Sequence, residues 1–256
     1  MGSHQDLFVG HPARLEEKLF SSPPSVLPIM STHRFSIQDG PEVFFKATRL
    51  VIASWCGRSA EEVERHIEEL VAIGVRRPSR IPGFHELSPS LVTLNETIDV
   101  VGDHSSGEVE AVLLYDEDHG LLVGIGSDHT DRKTESYDLV VSKQMCAKPL
   151  GSSVWRYDEV AGHWDDIVAR SWCIDEQGER MLYQQGELAR LLSADEVLDQ
   201  VSATRLVRPG TVIFCGTQPL LRAFTSSIRF EMELFDPILQ RTLRHTYAVN
   251  ALAHVE

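Results

Sequence analysis

The rhythm of apolar runs after Phe84 constrains this chain more than any other feature. LVTLN, TIDVV, EVEAVLLYD, LLVGIG and YDLVVS follow one another with turn residues between them. Short runs rich in Val, Leu and Ile and bounded by Gly, Asp or Ser read as strands. Further on, DDIVARSWCIDEQGERMLYQQGEL reads as two strands about a D-E-Q-G-E turn, TVIFCGTQPL as a buried strand entering a loop, and IRFEMELFDPILQRTLRHTYAVNAL as two closing strands. Upstream, RFSIQDGPEVFFKATRLVIASW reads as strands broken at DGP.

Two segments read as helices. In GRSAEEVERHIEELVAIG, Ser59 is placed to cap, with Glu62 three positions on. Val63, Ile67, Leu70 and Val71 form an apolar stripe that Gly74 can end. SADEVLDQVSATRLVRPG suggests a second helix capped by Ser193. The expected fold class is α+β and β-rich. Residues 1–30, with SSPPSVLP, read as a tail or arm whose leading MGSH resembles an expression scar. Residues 31–82 read as a small N-terminal region of strands and a lid-like helix, closed by the linker RRPSRIPG. Residues 83–256 read as a β-rich catalytic domain.

Composition excludes several functions. The 256 residues carry 38 acidic against 24 basic side chains, a formal charge of -14. A protein that tracks nucleic-acid phosphates needs a basic face, and so does one that docks on anionic membranes; neither partner is expected. Cys56, Cys146, Cys173 and Cys215 lie far apart, with no C-x-x-C pair, so zinc-ribbon and thioredoxin readings fail. Scattered thiols suit a reducing cytoplasm. No apolar run approaches the ~20 residues of a membrane span, and no signal peptide is visible.

The segment SSGEVEAVLLYDEDHGLLVGIGSDHTDR reads as a hairpin. Glu108 and Glu110 are two apart and so share a strand face, where they repel unless something positive lies between them. Asp128 returns on the far arm. Three carboxylates without a thiol suit a hard divalent cation, Mg²⁺ or Mn²⁺, although E-x-E also occurs on solvated strand faces. Asp131 competes with Asp128 for the third place. Asp116 and Asp118, at the presumed tip, read as turn residues.

Further stretches occur in an order that resembles the fumarylacetoacetate hydrolase family, in particular its fumarylpyruvate and acylpyruvate hydrolase branch. The family carries E-x-E, D-x-x-x-R, a lysine ahead of Pro-x-Gly and a Gly-Thr after a hydrophobic strand. The matching residues here are Glu108 and Glu110, Asp128 to Arg132 in DHTDR, Lys143 in VSKQMCAKPLG, and Gly216 and Thr217 in RPGTVIFCGTQPL. An N-terminal H-x-x-E is met by His66 and Glu69, without the family's preceding Asn-Tyr. Seventeen residues separate Glu110 from Asp128, fewer than is typical, which suggests a divergent branch.

The resemblance implies a β-roll with the metal in its mouth, commonly as a homodimer. It implies hydrolysis of a carbon–carbon bond in a 1,3-diketo acid, with the 2-oxo-carboxylate end on the metal and an enolate stabilised by it. The same site would serve a decarboxylase, a hydratase or an isomerase of 2-oxo acids, and a non-catalytic member of the fold is a further alternative. His66, held by Glu69, would be the general base, with His85, His104 and His129 as rivals. Lys143 would add a second positive charge. Arg132 would grip a substrate carboxylate or brace the metal ligands. Gly216 and Thr217 would offer a backbone N–H and a hydroxyl to the substrate. Trp155, Trp164 and Trp172 are expected in the core, and Cys215 as a buried small hydrophobe.

Overall fold

A chain of short apolar runs can bury its strands only by pairing them, and in this protein they pair into two large sheets and two short two-stranded ones. The computed structural model describes residues 31–72, 77–204, 207–224 and 226–253. The first strands are β1 (Ser31–Ile37), β2 (Glu42–Ala47) and β3 (Arg49–Ser54), with the DGP segment turning between β1 and β2. Helix α1 (Ala60–Ala72) follows, and Glu62 donates its N–H to the Ser59 hydroxyl at 3.2 Å. Val63 and Ile67 are buried, but Val71 is exposed, so the apolar stripe is narrower than its spacing suggests. The Leu70 side chain and Gly74 lie outside the described residues.

Next come β4 (Gly83–Leu87), β5 (Val92–Thr93), β6 (Thr97–Val101), β7 (Ser105–Ser106), β8 (Val109–Asp116), β9 (Gly120–Ser127) and β10 (Thr130–Asp131). LVTLN yields only the two-residue β5, because Pro89–Leu91 forms a 3₁₀ turn with a proline at its start and Ser88 capping it. Two short helices, α2 (Arg132–Glu135) and α3 (Leu139–Gln144), follow. The expected strand YDLVVS is in fact the start of α3. Asp138 accepts the Val141 N–H at 2.9 Å, and this N-cap outweighs the strand preference of two adjacent valines.

The chain continues through β11 (Lys148–Pro149), β12 (Ser153–Arg156), α4 (Tyr157–Val160), β13 (Val168–Ile174), β14 (Arg180–Glu187), α5 (Ala194–Ala203), β15 (Thr211–Thr217), β16 (Arg229–Asp236) and β17 (Arg241–Leu252). The larger sheet has eight strands in the order β2-β1-β12-β9-β8-β15-β3-β4, and the smaller has five in the order β14-β13-β16-β17-β6. The short pairs β10–β7 and β11–β5 lie apart from both.

β8 is buried on both faces, which explains its continuous AVLL run. Leu113 joins a cluster between the sheets with Val123, Ile213, Phe230, Met232 and Leu234. Val112 and Leu114 join a second cluster, under the curl of the larger sheet, with Phe35, Phe45 and Phe214. Each fully buried Val or Leu contributes about 1.5–3 kcal/mol. Gly126 lets β9 pass through this packing: a Cβ there would stand 2.6 Å from Leu150 Cδ2 and 2.7 Å from Phe214 Cε1. Trp155 and Trp164 are buried, as expected. Trp172 is only half-buried, with the Arg180 guanidinium 3.9 Å above its ring. Cys215 is buried in β15. Among the described residues no helix is long and apolar enough to cross a membrane.

Candidate metal centre

The hairpin expected from the sequence forms. β8 and β9 pair antiparallel, with Val109 opposite Ser127 and Glu110 opposite Gly126. Asp116 Oδ1 accepts the N–H groups of Asp118 and His119, so the tip is an Asx turn. One residue beyond the ladder, the Asp128 N–H donates to the Glu108 carbonyl at 3.0 Å. This register brings Glu108, Glu110 and Asp128 together, each offering a carboxylate oxygen within 4.8 Å of the others. Asp131 does not join them. Its carboxylate accepts the Thr134 N–H at 2.7 Å and caps α2.

Four positive or polar groups shape the cluster. Arg132, at the start of α2, donates from Nη1 to Glu108 Oε1 at 2.9 Å and to Glu135 at 2.8 Å, and from Nε to Ser106 Oγ at 2.7 Å. Its second terminal nitrogen, Nη2, is buried with no hydrogen-bond partner. Lys143, on α3, donates to Asp128 Oδ2 and, at 3.2 Å, to Glu108 Oε2. Lys148, on β11, lies 3.1 Å from Asp128 Oδ1 and donates to the carbonyls of His129 and Lys143, both at 2.6 Å. The Gly216 N–H donates to Glu110 Oε2 at 2.7 Å. That amide points inward because β15 is irregular between Phe214 and Thr217, and Gly216 takes φ 101°, a conformation that suits glycine.

These contacts set the charge of each carboxyl. Burial alone would raise Asp128, but Lys143 and Lys148 outweigh it and hold the group below the usual carboxylate range. Glu108 is likewise held low against burial by Arg132 and Lys143. Glu110 goes the other way: burial, then the nearby Asp128 and Glu108 charges, push its carboxyl well above the ordinary value. The site thus has an uncompensated demand for positive charge at Glu110. Asp128 Oδ1 adds a buried oxygen with no directed hydrogen bond. An all-oxygen donor set with both properties fits a hard divalent cation. Glu108 is the member that reaches the surface, with its side chain 12% exposed against 0% for Asp128.

Gly216 and Thr217, expected to contact substrate, are engaged within the protein. The Gly216 amide is on Glu110. The Thr217 hydroxyl donates to the Val109 carbonyl at 2.9 Å and accepts from Gln184 Nε2 at 2.8 Å. His66 and Glu69 both lie on α1, and their side chains are outside the described residues. His129 is buried, bonded to Tyr247 Oη at 2.9 Å and Ser105 Oγ at 2.9 Å, and burial drives it down to about 3. His104 is exposed beside Asp103. His85, on β4, has a buried Nε2 with no hydrogen-bond partner; burial and then the Lys143 charge lower its pKa.

Lys148 faces the triad directly, whereas Gln184 and Tyr247 bond to residues that flank it in β8 and β9; none of the three contacts is apparent from the sequence. Gln184 accepts the Val109 N–H at 3.0 Å and the Ser171 hydroxyl at 2.9 Å, and donates to Thr217 and to the Gln218 carbonyl. Tyr247 bridges Ser127 and His129. The one local signal is the pairing of Lys148 with Pro149 in KPLG: a lysine held inside a strand pair must find a buried anion.

Similar structures share this architecture. A crystal form of 2-keto-3-deoxyarabinonate dehydratase superimposes with a TM-score of 0.61 at 15% identity, covering 81% of this chain and 75% of that one. The structure of Cg1458 with inhibitor gives 0.61 at 15% identity, covering 80% and 78%. A 2-keto-3-deoxy-D-arabinonate dehydratase complexed with magnesium and 2,5-dioxopentanoate gives 0.58 at 13%, covering 80% and 74%. These likenesses show a fumarylacetoacetate hydrolase-like fold, α+β and β-rich. No curated protein matches the sequence. A family model matches residues 53–247, and the chain therefore belongs to the family described as "Protein of unknown function (DUF2848)".

Proposed function

We propose that this protein is a metal-dependent enzyme that acts on a 2-oxo acid through an enolate, with dehydration of a 2-oxo-3-deoxy acid as the leading reaction. The observation that carries the reading is the buried triad of Glu108, Glu110 and Asp128 beside two cationic side chains with unused donors or exchangeable partners, Arg132 and Lys143. The dehydratases among the structural neighbours favour loss of water over the other fates.

Glu108, Glu110 and Asp128 would hold a divalent ion, Mg²⁺ or Mn²⁺, which would supply positive charge to polarise the 2-oxo group and to stabilise the negative charge that develops on it. The chain's own residues do the rest. Arg132 Nη2 offers a buried, unpartnered donor to the substrate carboxylate, while Nη1 braces Glu108. Lys143 adds an ammonium beside the same oxygens. Gly216 and Thr217 act indirectly, by holding Glu110 and the end of β8 in place. His66, oriented by Glu69, is the proposed base that takes a proton from the carbon next to the oxo group. His85 is its rival because its buried Nε2 has no partner. The hydroxyl on the following carbon then departs with a proton, so one water leaves for each substrate consumed.

Carbon–carbon hydrolysis of a 1,3-diketo acid is the second reading. It is favoured by the ordered E-x-E, D-x-x-x-R, lysine and Gly-Thr stretches. The chain is proposed to act as a homodimer in the cytoplasm on a small-molecule 2-oxo or diketo acid.

Three measurements test this. The melting temperature of the protein is followed with chelator, with Mn²⁺, and with Mn²⁺ plus oxalate, a planar mimic of a pyruvate enolate. Metal raises it, oxalate adds to the rise only when metal is present, and Glu108→Ala removes both effects. A panel of 2-oxo-3-deoxy sugar acids and acylpyruvates then separates the reactions: dehydration yields one unsaturated or dioxo product, and hydrolysis yields two acids. A melt indifferent to metal and oxalate rules the reading out. His66→Ala and His85→Ala, assayed with metal binding intact, identify the base by which of them loses turnover.

A further inference from the structure

Two lysines hold Asp128, and they are held differently. Lys148 is fully buried and donates to two backbone carbonyls, those of His129 and Lys143, while its charge faces Asp128 Oδ1 at 3.1 Å. Its position is set by the main chain, whatever happens at the carboxylate. Lys143 has no such anchor: its two acceptors are Asp128 Oδ2 and Glu108 Oε2. Both oxygens belong to the triad that would receive a cation. A cation drawing on these carboxylates, even through Asp128 Oδ1, competes with Lys143 for their charge and leaves a buried ammonium underpaired, which is costly unless a new anion meets it.

We propose that Lys143 is an exchangeable internal cation, so that a divalent metal and the anionic group of the ligand bind this site cooperatively. Metal entry releases the Lys143 ammonium from Asp128 and Glu108, and the ligand's carboxylate or enolate oxygen becomes its new partner. Either one alone leaves charge uncompensated; together they restore the balance. Linkage requires the effect to be reciprocal: the ligand tightens the metal by the factor with which the metal tightens the ligand. The proposal rests on the reading of Glu108, Glu110 and Asp128 as a metal site. It adds the order of assembly and assigns it to one residue.

The test is calorimetric titration of Mn²⁺ into full-length wild-type protein and into Lys143→Met, each with and without oxalate, and of oxalate with and without Mn²⁺. Expected for the wild type are weak Mn²⁺ binding alone and tightening by about tenfold or more with oxalate. Expected for Lys143→Met are Mn²⁺ binding alone tighter by about tenfold, and a mutual factor reduced to what direct chelation by oxalate leaves. Lys143→Gln, which keeps hydrogen-bonding capacity, serves if the methionine variant does not fold. Lys148→Met is the contrast: it loses Mn²⁺ affinity, because it removes the anchor of Asp128. A Lys143 variant that binds Mn²⁺ no more tightly than wild type, or keeps the full oxalate factor, overturns the proposal while leaving the metal site standing. Absence of Mn²⁺ binding in wild type and Lys143 variants alike overturns both.

Discussion

Gln184 shows what single side chains contribute here. Its amide meets four partners: the Val109 N–H, the Ser171 hydroxyl, the Thr217 hydroxyl and the Gln218 carbonyl. It thereby ties β14 to β13, to the start of β8 and to the end of β15. Replacing it by leucine keeps most of the volume, takes the partner from the Val109 N–H, the Ser171 hydroxyl and the Gln218 carbonyl, and leaves Thr217 only its bond to the Val109 carbonyl. At about 1–3 kcal/mol for each uncompensated group, with partial relaxation, Gln184→Leu is expected to cost at least about 3 kcal/mol. Urea denaturation checks this, and a loss below about 1 kcal/mol would show that the amide is dispensable. None of this is legible locally, since the four partners lie 13 to 75 residues away along the chain. Glu108, Glu110 and Asp128 were legible because the period of two and the tight turn are both short-range facts.

At the scale of elements, legibility follows the strength of local signals. The hairpins β8–β9, β13–β14 and β16–β17 carry clear turn residues between apolar runs and form as read. α3 departs from its strongest local signal: the adjacent Val140 and Val141 favour a strand, and the Asp138 cap prevails over them. α5 carries the clearest signal. Ser193 accepts the Glu196 N–H at 3.2 Å, and Glu196 accepts the Ser193 N–H at 2.8 Å, a reciprocal capping box. Its buried Ala194, Val197 and Val201 pack into the cluster between the sheets. Ser193→Ala should cost about 1 kcal/mol, seen as a Tm lower by about 2–4 °C. An unchanged Tm would mean that packing alone positions the helix.

At the scale of the whole molecule, acid stability reports the buried histidine. His129 falls from an ordinary 6.5 to about 3 in the folded state. Between those values the unfolded chain binds the extra proton, so stability falls as pH drops through that window and is unaffected above it. The sign is the same as for a depressed carboxylate, which Asp128 and Glu108 also are, and opposite to that of the raised Glu110. The difference between wild type and His129→Gln removes those shared terms. With chelator present, the variant should lose a few kcal/mol less than wild type between pH 6.5 and 4, on the order of 1.4 kcal/mol per pH unit. Parallel curves would mean that His129 is solvated and titrates normally.

The amide that holds Glu110 comes from a residue 106 positions further along the chain, and the strand that carries it reaches its place only by pairing with both β8 and β3. An excised hairpin spanning 105–132 would therefore keep the three carboxylates and lose the geometry that gathers them. Ion affinity is then a property of the finished topology and is expected to vanish with the same denaturant midpoint as the sheets. Measured in a crude mixture, it would count correctly assembled molecules, a use for the proposed metal site that does not depend on which reaction is proposed for it.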